Sequence, residues 1–241
     1  MPLRIFVAIL MTLISFNIYN TINVHAENTS SFSSEVENAQ ELESDSTETS
    51  EQETIKQPSL GVNFQDYIPY ANFINYQYQG DQNYFDVKDI IMEYAPDSNG
   101  TFQVTAFSGQ ETVAYVYQIR ESGLYELAFF NDYYVVEDLR YSQDATNGSE
   151  SLILPANLHE GTQFSSGYNK EKQLTISEII DSYSVGGEVF NNVVKIDEEK
   201  TGESFSYYYA QIYGLLVIER TDSTGVTQKV LQLVSTQGQL N

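Results

Sequence analysis

The chain has no cysteine and no tryptophan, and its two histidines are His25 and His159. Without cysteine there can be no disulfide, no thiol nucleophile and no thiolate metal site. Basic residues are scarce as well: 11 Lys and Arg stand against 34 Asp and Glu, for a formal net charge of −23. So acidic a chain is repelled by nucleic-acid phosphates and by anionic lipid, which argues against DNA, RNA and direct membrane partners. No apolar run is long enough to span a bilayer. The longest runs from Ile5 to Ile14 with Thr12 inside it and is then broken by Ser15, Asn17, Asn20, Thr21 and Asn23, short of the roughly 18–20 residues a span requires.

That run follows Arg4 and ends at Val24-His25-Ala26, the basic, apolar and small-residue order of a secretory signal peptide. Residues 1–26 are therefore expected to be cleaved after Ala26. Residues 27–57 hold nine acids and one lysine, with Phe32, Val36, Leu42 and Ile55 as their only sizeable apolar side chains. So little apolar surface cannot offset the entropy of ordering a backbone, so a disordered acidic Ser/Thr/Glu-rich spacer is expected. Residues 58–241 suit one domain, large enough to bury a core without disulfide staples. An exported, cysteine-free chain fits a bacterial protein that is secreted or held at the outer face of the envelope.

Within 58–241 the dominant pattern has period two. Phe73–Tyr78 alternates, and runs rich in Val, Ile, Tyr, Phe and Thr follow at Tyr84–Tyr94, Thr101–Phe107, Thr112–Arg120, Leu124–Phe130, Tyr133–Leu139, Val189–Asp197, Phe205–Ala210, Leu215–Thr221 and Val226–Val234, as half-buried strands require. Gly- and Asn-containing links such as Gln79-Gly80-Asp81 and Ser122-Gly123 separate them, and such links join antiparallel neighbours. The expectation is an all-β antiparallel meander of about ten strands, forming a strongly curved sheet or an incomplete barrel. Residues 175–183 carry two signals. Thr175 and Glu178 resemble a capping box, with Ile176, Ile179, Ile180 and Tyr183 at helical spacing. Leu174, Ile176, Glu178 and Ile180 also alternate, and strand is chosen because the flanking sequence is strand.

Several landmarks resemble a family of exported β-rich domains of low-GC Gram-positive bacteria, often lipoproteins, whose molecular role is undefined. They are Tyr67-Ile68-Pro69 with Tyr76, Tyr78 and Gly80; Leu152-Ile153-Leu154-Pro155 leading to Gly161-Thr162-Gln163-Phe164; Gly187, Phe190, Val193 and Lys195; and Tyr208-Tyr209-Ala210 before Gly214-Leu215. The pieces span nearly the whole domain. Phe164 stands where that family usually has Trp, and Ile212-Tyr213 replaces a Gly-Val pair. The lipid-attachment cysteine is missing, so no anchor is implied. The resemblance implies fold and location; it carries no catalytic residue and no cofactor.

Chemistry-bearing motifs are sparse. His159 sits in Asn157-Leu158-His159-Glu160-Gly161, which reads as a loop, and no Gly-x-Ser-x-Gly accompanies it. The acids Asp86 and Asp89, and Asp197-Glu198-Glu199, read as solvent faces and strand ends, so their spacing selects no acid–base pair. Asp144 to Glu150 offers hard oxygens, but its spacing departs from an EF-hand and fits a polar hairpin loop. The remaining bias is aromatic: 19 Tyr and 13 Phe. Val113, Tyr115, Tyr117 and Ile119 share one strand face, so Tyr76, Tyr78, Tyr115 and Tyr117 are the candidate binding residues for a small apolar or carbohydrate ligand. Filling a curved sheet is the competing use of the same rings. The expected function is a noncatalytic binding or interaction module at the bacterial surface, acting on such a ligand or on a cell-wall or protein partner. The alternatives are a carboxylate-based extracellular hydrolase and a structural envelope protein. No cofactor is expected.

Overall fold

The computed structural model describes residues 62–109 and 111–240; the expected signal peptide and spacer lie outside them. These residues form a single antiparallel sheet of twelve strands: β1 (Phe73–Gly80), β2 (Lys88–Tyr94), β3 (Thr101–Ser108), β4 (Glu111–Arg120), β5 (Gly123–Phe130), β6 (Ser151–Pro155), β7 (Gln163–Ser166), β8 (Lys172–Val185), β9 (Glu188–Lys200), β10 (Glu203–Ala210), β11 (Gly214–Asp222) and β12 (Thr227–Gln239). Each strand pairs with its sequence neighbours except at two places. β1 pairs with β12, and β6 and β7 are the ends of the order β6-β5-β4-β3-β2-β1-β12-β11-β10-β9-β8-β7. The sheet is thus a meander rolled into a nearly closed barrel.

The ends β6 and β7 lie side by side but share no ladder. Both are short, and Pro155, which has no N–H to donate, terminates β6. Side chains bridge the seam instead: the Ser151 and Ser166 hydroxyls are 3.2 Å apart, and the Gly167 N–H donates to Ser151 Oγ at 2.8 Å.

Strand directions define two barrel ends. β1 starts at the upper end, where a 3-10 helix (Phe64–Tyr67) and the following Ile68-Pro69-Tyr70 pack as a plug. The plug is fastened by Tyr67, whose hydroxyl donates to the Asn192 carbonyl at 2.7 Å, and by the Ile212 N–H, which donates to the Asp66 carbonyl at 2.6 Å. Gly214 has φ +67°, and a Cβ there would lie 2.3 Å from Pro69 Cα, so only glycine lets the plug seat so closely.

The alternation read from the sequence supplies the core. Tyr76, Tyr78, Ile90, Met92, Phe102, Val104, Tyr115, Tyr117, Ile176, Val194 and Ile196 all join the interior cluster. Two excursions cover the outer faces. The distal half of the long β8–β9 hairpin, beyond a register shift after Ile176, stacks Tyr183 on Tyr208 (ring centroids 4.8 Å apart) and sets Phe190 edge-on to Tyr213. Residues 131–150 cover β4 and β5, burying Val116, Leu127, Ala128 and Ala145 together. That segment is pinned by Gln103, whose amide donates to the Tyr133 hydroxyl, Glu93 and the Glu137 carbonyl, and whose oxygen accepts from the Leu139 N–H.

Several expectations need correction. Tyr133–Leu139 is not a strand: Gln103 takes its backbone groups, and Tyr134, Val135 and Val136 are left exposed. Residues 144–150 are not a plain hairpin loop. They begin inside a one-turn helix, α1 (Gln143–Asn147), capped by Ser142, whose hydroxyl accepts from the Ala145 N–H at 3.3 Å. β6 and β7 raise the count to twelve; at five and four residues they are too short for alternation to reveal. Residues 175–183 are strand, because β8 continues straight through the capping-box lookalike.

Candidate functional site

All four candidate tyrosines point into the barrel, and the structure brings them together. Tyr115 and Tyr117 lie with near-parallel rings 6.1 Å apart, and Tyr70 contacts Tyr76, Tyr78 and Tyr117. None retains more than 2% of its surface exposed. Two of the hydroxyls have fixed backbone partners: Tyr76 Oη accepts the Asn72 and Phe73 N–H groups at 3.0 and 3.1 Å, and the Tyr78 hydroxyl donates to the Leu215 carbonyl at 2.8 Å. They fill the barrel rather than line an open face. The void beside them, between Tyr70, Tyr117 and Tyr209, measures about 20 Å³, about one water's worth.

The unusual chemistry lies at the lower end. There the inward stripes of three strands run out into charge: Met92, Ile90, Lys88 on β2; Ile176, Leu174, Lys172 on β8; and Val194, Ile196, Glu198 on β9; on β5 Glu126 follows Leu124 inward. All four charged residues are buried. On β5 the register shift opposite Val116 leaves Leu127 as an extra residue, so Glu126 and Phe129 both face inward, opposite Tyr117 and Tyr115.

Glu198 is well served. Tyr207 donates to it at 2.6 Å, and the Lys200 ammonium, which also lies over the Phe205 ring, approaches within 3.3 Å. This corrects the reading of Asp197-Glu198-Glu199 as one solvent face. Glu198 is inward, while Asp197 turns outward to Lys195 and Ser206 and Glu199 is exposed.

Glu126 is served on one side only. Its Oε1 accepts from the Tyr168 hydroxyl at 2.8 Å, but its buried Oε2 makes no hydrogen bond. Burial pushes its carboxyl up to about 7, against the pull of the Tyr168 and Tyr117 hydroxyls and of Lys172. Lys172 has 8% of its surface exposed, yet forms no hydrogen bond or ion pair among the described residues. Burial lowers its affinity for a proton, with Glu198 opposing that shift. Lys172, Ser166, Glu198 and Tyr207 surround a second void of about 10 Å³ that shares Ile153, Tyr207 and Tyr209 with the first.

Glu126 and Ser151 are register partners across β5 and β6, and Ser151 holds Ser166 across the seam. The under-partnered groups therefore sit where the barrel is not laddered shut. Tyr168 belongs to the β7–β8 turn, so the Glu126–Tyr168 bond is a further tie across that seam.

Sequence reasoning missed Glu126, Lys172 and Glu198. The available signal was parity, since each continues an apolar inward stripe, but a charge at a strand end ordinarily turns to water. His159 is exposed in the β6–β7 loop, and Asp86 is exposed on the β1–β2 loop. Among the described residues no group of three or more His, Asp or Glu is arranged to hold a metal ion. No family model, curated protein or solved structure matches the chain.

Proposed function

We propose that the protein is an extracellular binding module. In this reading residues 1–26 direct export, residues 27–57 form an acidic stalk, and the barrel receives a small ligand in the charged pocket at its lower end. One observation carries the reading: the buried Glu126 Oε2 makes no hydrogen bond and the largely buried Lys172 forms no ion pair among the described residues, both near the seam the ladder leaves open. Desolvating ionisable groups without pairing them costs several kcal/mol. Tyr67, Tyr76 and Tyr78 fill the same barrel with hydroxyls that are bonded, so the fold itself does not require the expense. The resemblance to exported Gram-positive domains agrees with the location.

Native mass spectrometry of the mature protein from its own host tests this. A discrete added mass, lost on denaturation and absent from a Lys172→Met variant, is the expected result. A bare mass in both proteins removes the ligand. If the added mass persists in Lys172→Met but is lost with alanine at Tyr76, Tyr78, Tyr115 or Tyr117 in variants that still fold, the receiving site is the tyrosine cluster instead.

A second reading is favoured by the two inward glutamates. Glu126, raised toward neutrality, has the character of a general acid, and Glu198, paired with Lys200, that of a carboxylate base. Hydrolysis of peptidoglycan or a polysaccharide that disappears in Glu126→Gln establishes it; silence across such substrates leaves the binding module.

A further inference from the structure

We propose that a cleft on the outside of the barrel's upper half takes an extended basic segment of a partner protein, whose backbone pairs with a free edge of β12. The inference concerns a second site, goes beyond the lower-end ligand and does not rest on it.

The cleft measures about 530 Å³, the size of a ligand site, and it exists because β12 parts from β11. Their ladder runs from Thr221–Thr227 to Val217–Gln232 and stops, although β11 continues to Gly214 and β12 to Gln239. The Tyr78 hydroxyl takes the Leu215 carbonyl from inside the barrel. From Leu233 upward β12 is paired with β1 on one side and, among the described residues, with no strand on the other. The distal β8–β9 arm makes the opposite wall. Its tip reaches β12 at Gly186, where a Cβ would lie 3.4 Å from the Gln232 side-chain nitrogen, and Glu188 and Phe190 line the gap. These walls are fixed before anything binds. Ile212, next to the lining residue Tyr213, has φ +72°, and Asn192 in the arm has φ +52°. Both are fastened to the plug and the segment after it: Ile212 through the Asp66 carbonyl and the Asn72 amide, Asn192 through the Tyr67 hydroxyl. A β-branched residue in the left-handed region persists only where its surroundings hold it, and a cleft held open in advance loses little entropy on binding.

Three features select the occupant. An unpaired strand edge offers N–H and C=O groups at the spacing of another backbone, so it takes an extended chain. The side chains beside it are largely apolar: Phe190, Tyr213, Leu233 and the exposed Val234 line the cleft, and the exposed Val189 and Ile212 adjoin lining residues in sequence. Charge sets the sign. Glu188 is the one charged residue of the lining, on a chain of net charge −23, so a segment carrying Lys or Arg is drawn in and an acidic one is repelled. A second copy of this chain brings the same negative charge and is disfavoured for that reason.

The experiment uses the mature wild-type chain and, as probe, the synthetic peptide acetyl-Thr-Val-Lys-Val-Thr-Val-Lys-amide, followed by nitrogen-15 amide shifts of the protein. Saturable shifts centred on Phe190 and on Leu233 to Thr236 are expected, with a dissociation constant of about 100 µM. An extended chain turns only every second N–H toward a given edge. N-methylation of one alternate set of peptide amides is therefore expected to weaken binding about tenfold, and of the other set by less than about threefold. Glu188→Lys and Val234→Asp, both at exposed positions, are expected to weaken it about fivefold and about tenfold. No shift at about 1 mM peptide, equal affinity of the two methylated peptides, or shifts spread over the acidic surface each overturn the proposal. Saturation of the same amides by chitohexaose but not by the peptide overturns it in favour of a sugar chain. Dilution-dependent shifts of these amides without peptide overturn it in favour of a second copy. Should either variant not fold, the two methylated peptides decide on the wild type alone.

Discussion

The two ends of this barrel hold similar side chains and treat them differently. At the upper end Tyr67 and Tyr76 are buried, and each hydroxyl has a fixed backbone partner. At the lower end Lys88, Glu126 and Lys172 are buried as well; one Glu126 carboxyl oxygen makes no hydrogen bond, Lys172 forms no ion pair among the described residues, and the Lys88 ammonium lies 5.9 Å from the Phe85 ring. A buried polar group that is fully bonded contributes to stability and to a single packing. One that is not bonded lowers stability and is retained for another reason. The contrast separates the part of the molecule that makes the fold from the part that the fold presents.

The contrast breaks hardest if the upper end is emptied. Tyr76→Ala removes a fully buried ring that contacts Tyr70 and Phe73, and strands the Asn72 and Phe73 N–H groups. It should destabilise by about 3–5 kcal/mol in denaturant titration. Tyr76→Phe keeps the ring and isolates the second effect, with an expected loss of about 1–3 kcal/mol. If Tyr76→Phe is neutral, the upper hydroxyls are not the fixed partners described above.

The second test is the pH dependence of stability, which only the lower end should control. Glu126 titrates near its ordinary 4.5 when unfolded and at about 7 when folded. Between those values the folded chain holds the extra proton. Its contribution is complete below about pH 4.5 and is lost as pH rises through 7, roughly 3 kcal/mol in order of magnitude. Lys88 has the opposite sign: burial lowers it from 10.5 to about 8, against the pull of Glu111 and Asp86. There the unfolded chain holds the extra proton, so stability rises with pH between about 8 and 10.5, and Lys172 shifts in the same direction. The two limbs leave a minimum of stability between about pH 7 and 8. Thermal midpoints against pH should show that dip. Glu126→Gln flattens its acid limb and Lys88→Met its alkaline limb; a dip that survives both variants assigns it to other groups.

Much of this molecule was legible in the sequence, and what was missed has a common cause. Period-two alternation over Val113–Ile119 and Phe73–Tyr78 gave the correct inward faces, because those strands are regular and half-buried. β6 and β7 escaped because four or five residues carry too little pattern. Tyr133–Leu139 looked like a strand because β-branched and aromatic residues cluster there, yet what decides is whether a neighbour offers a ladder, and here Gln103 offers side-chain bonds instead. At the site, the tyrosines announced themselves by number and proved to be filling. The charges stayed hidden: Glu126 keeps the inward parity of Leu124 where a charge would ordinarily mark an outer face, and Lys172 is enclosed by a seam that exists only once the sheet is rolled. Local periodicity reports faces. It does not report closure.

The third test exchanges the sign of a mutational effect between the ends. Lys172→Met keeps the length of the side chain and removes a desolvated, unpaired ammonium from among Ile153, Leu174 and Ile196. Apolar replacement of such a group should stabilise by about 1–3 kcal/mol, where comparable surgery on Tyr76 destabilises. Destabilisation by Lys172→Met would mean that Glu198 or Glu126 depends on Lys172 after all.

The most local effect belongs to the seam itself. Ser151→Ala deletes one hydroxyl that joins Ser166 and the Gly167 N–H across β6 and β7. Two hydrogen bonds are lost and the buried Gly167 N–H is left unpaired, so the global loss should be about 1–3 kcal/mol. The local consequence should exceed the global one. Amide exchange in β6, β7 and the Gly167–Glu171 turn should accelerate about tenfold while β1, β3 and β4 stay protected, because local opening is governed by the contacts it breaks. If the whole sheet accelerates uniformly instead, the seam is as cooperative as any ladder. The lower end would then have no entrance of its own, and a ligand would reach Lys172 only through global unfolding.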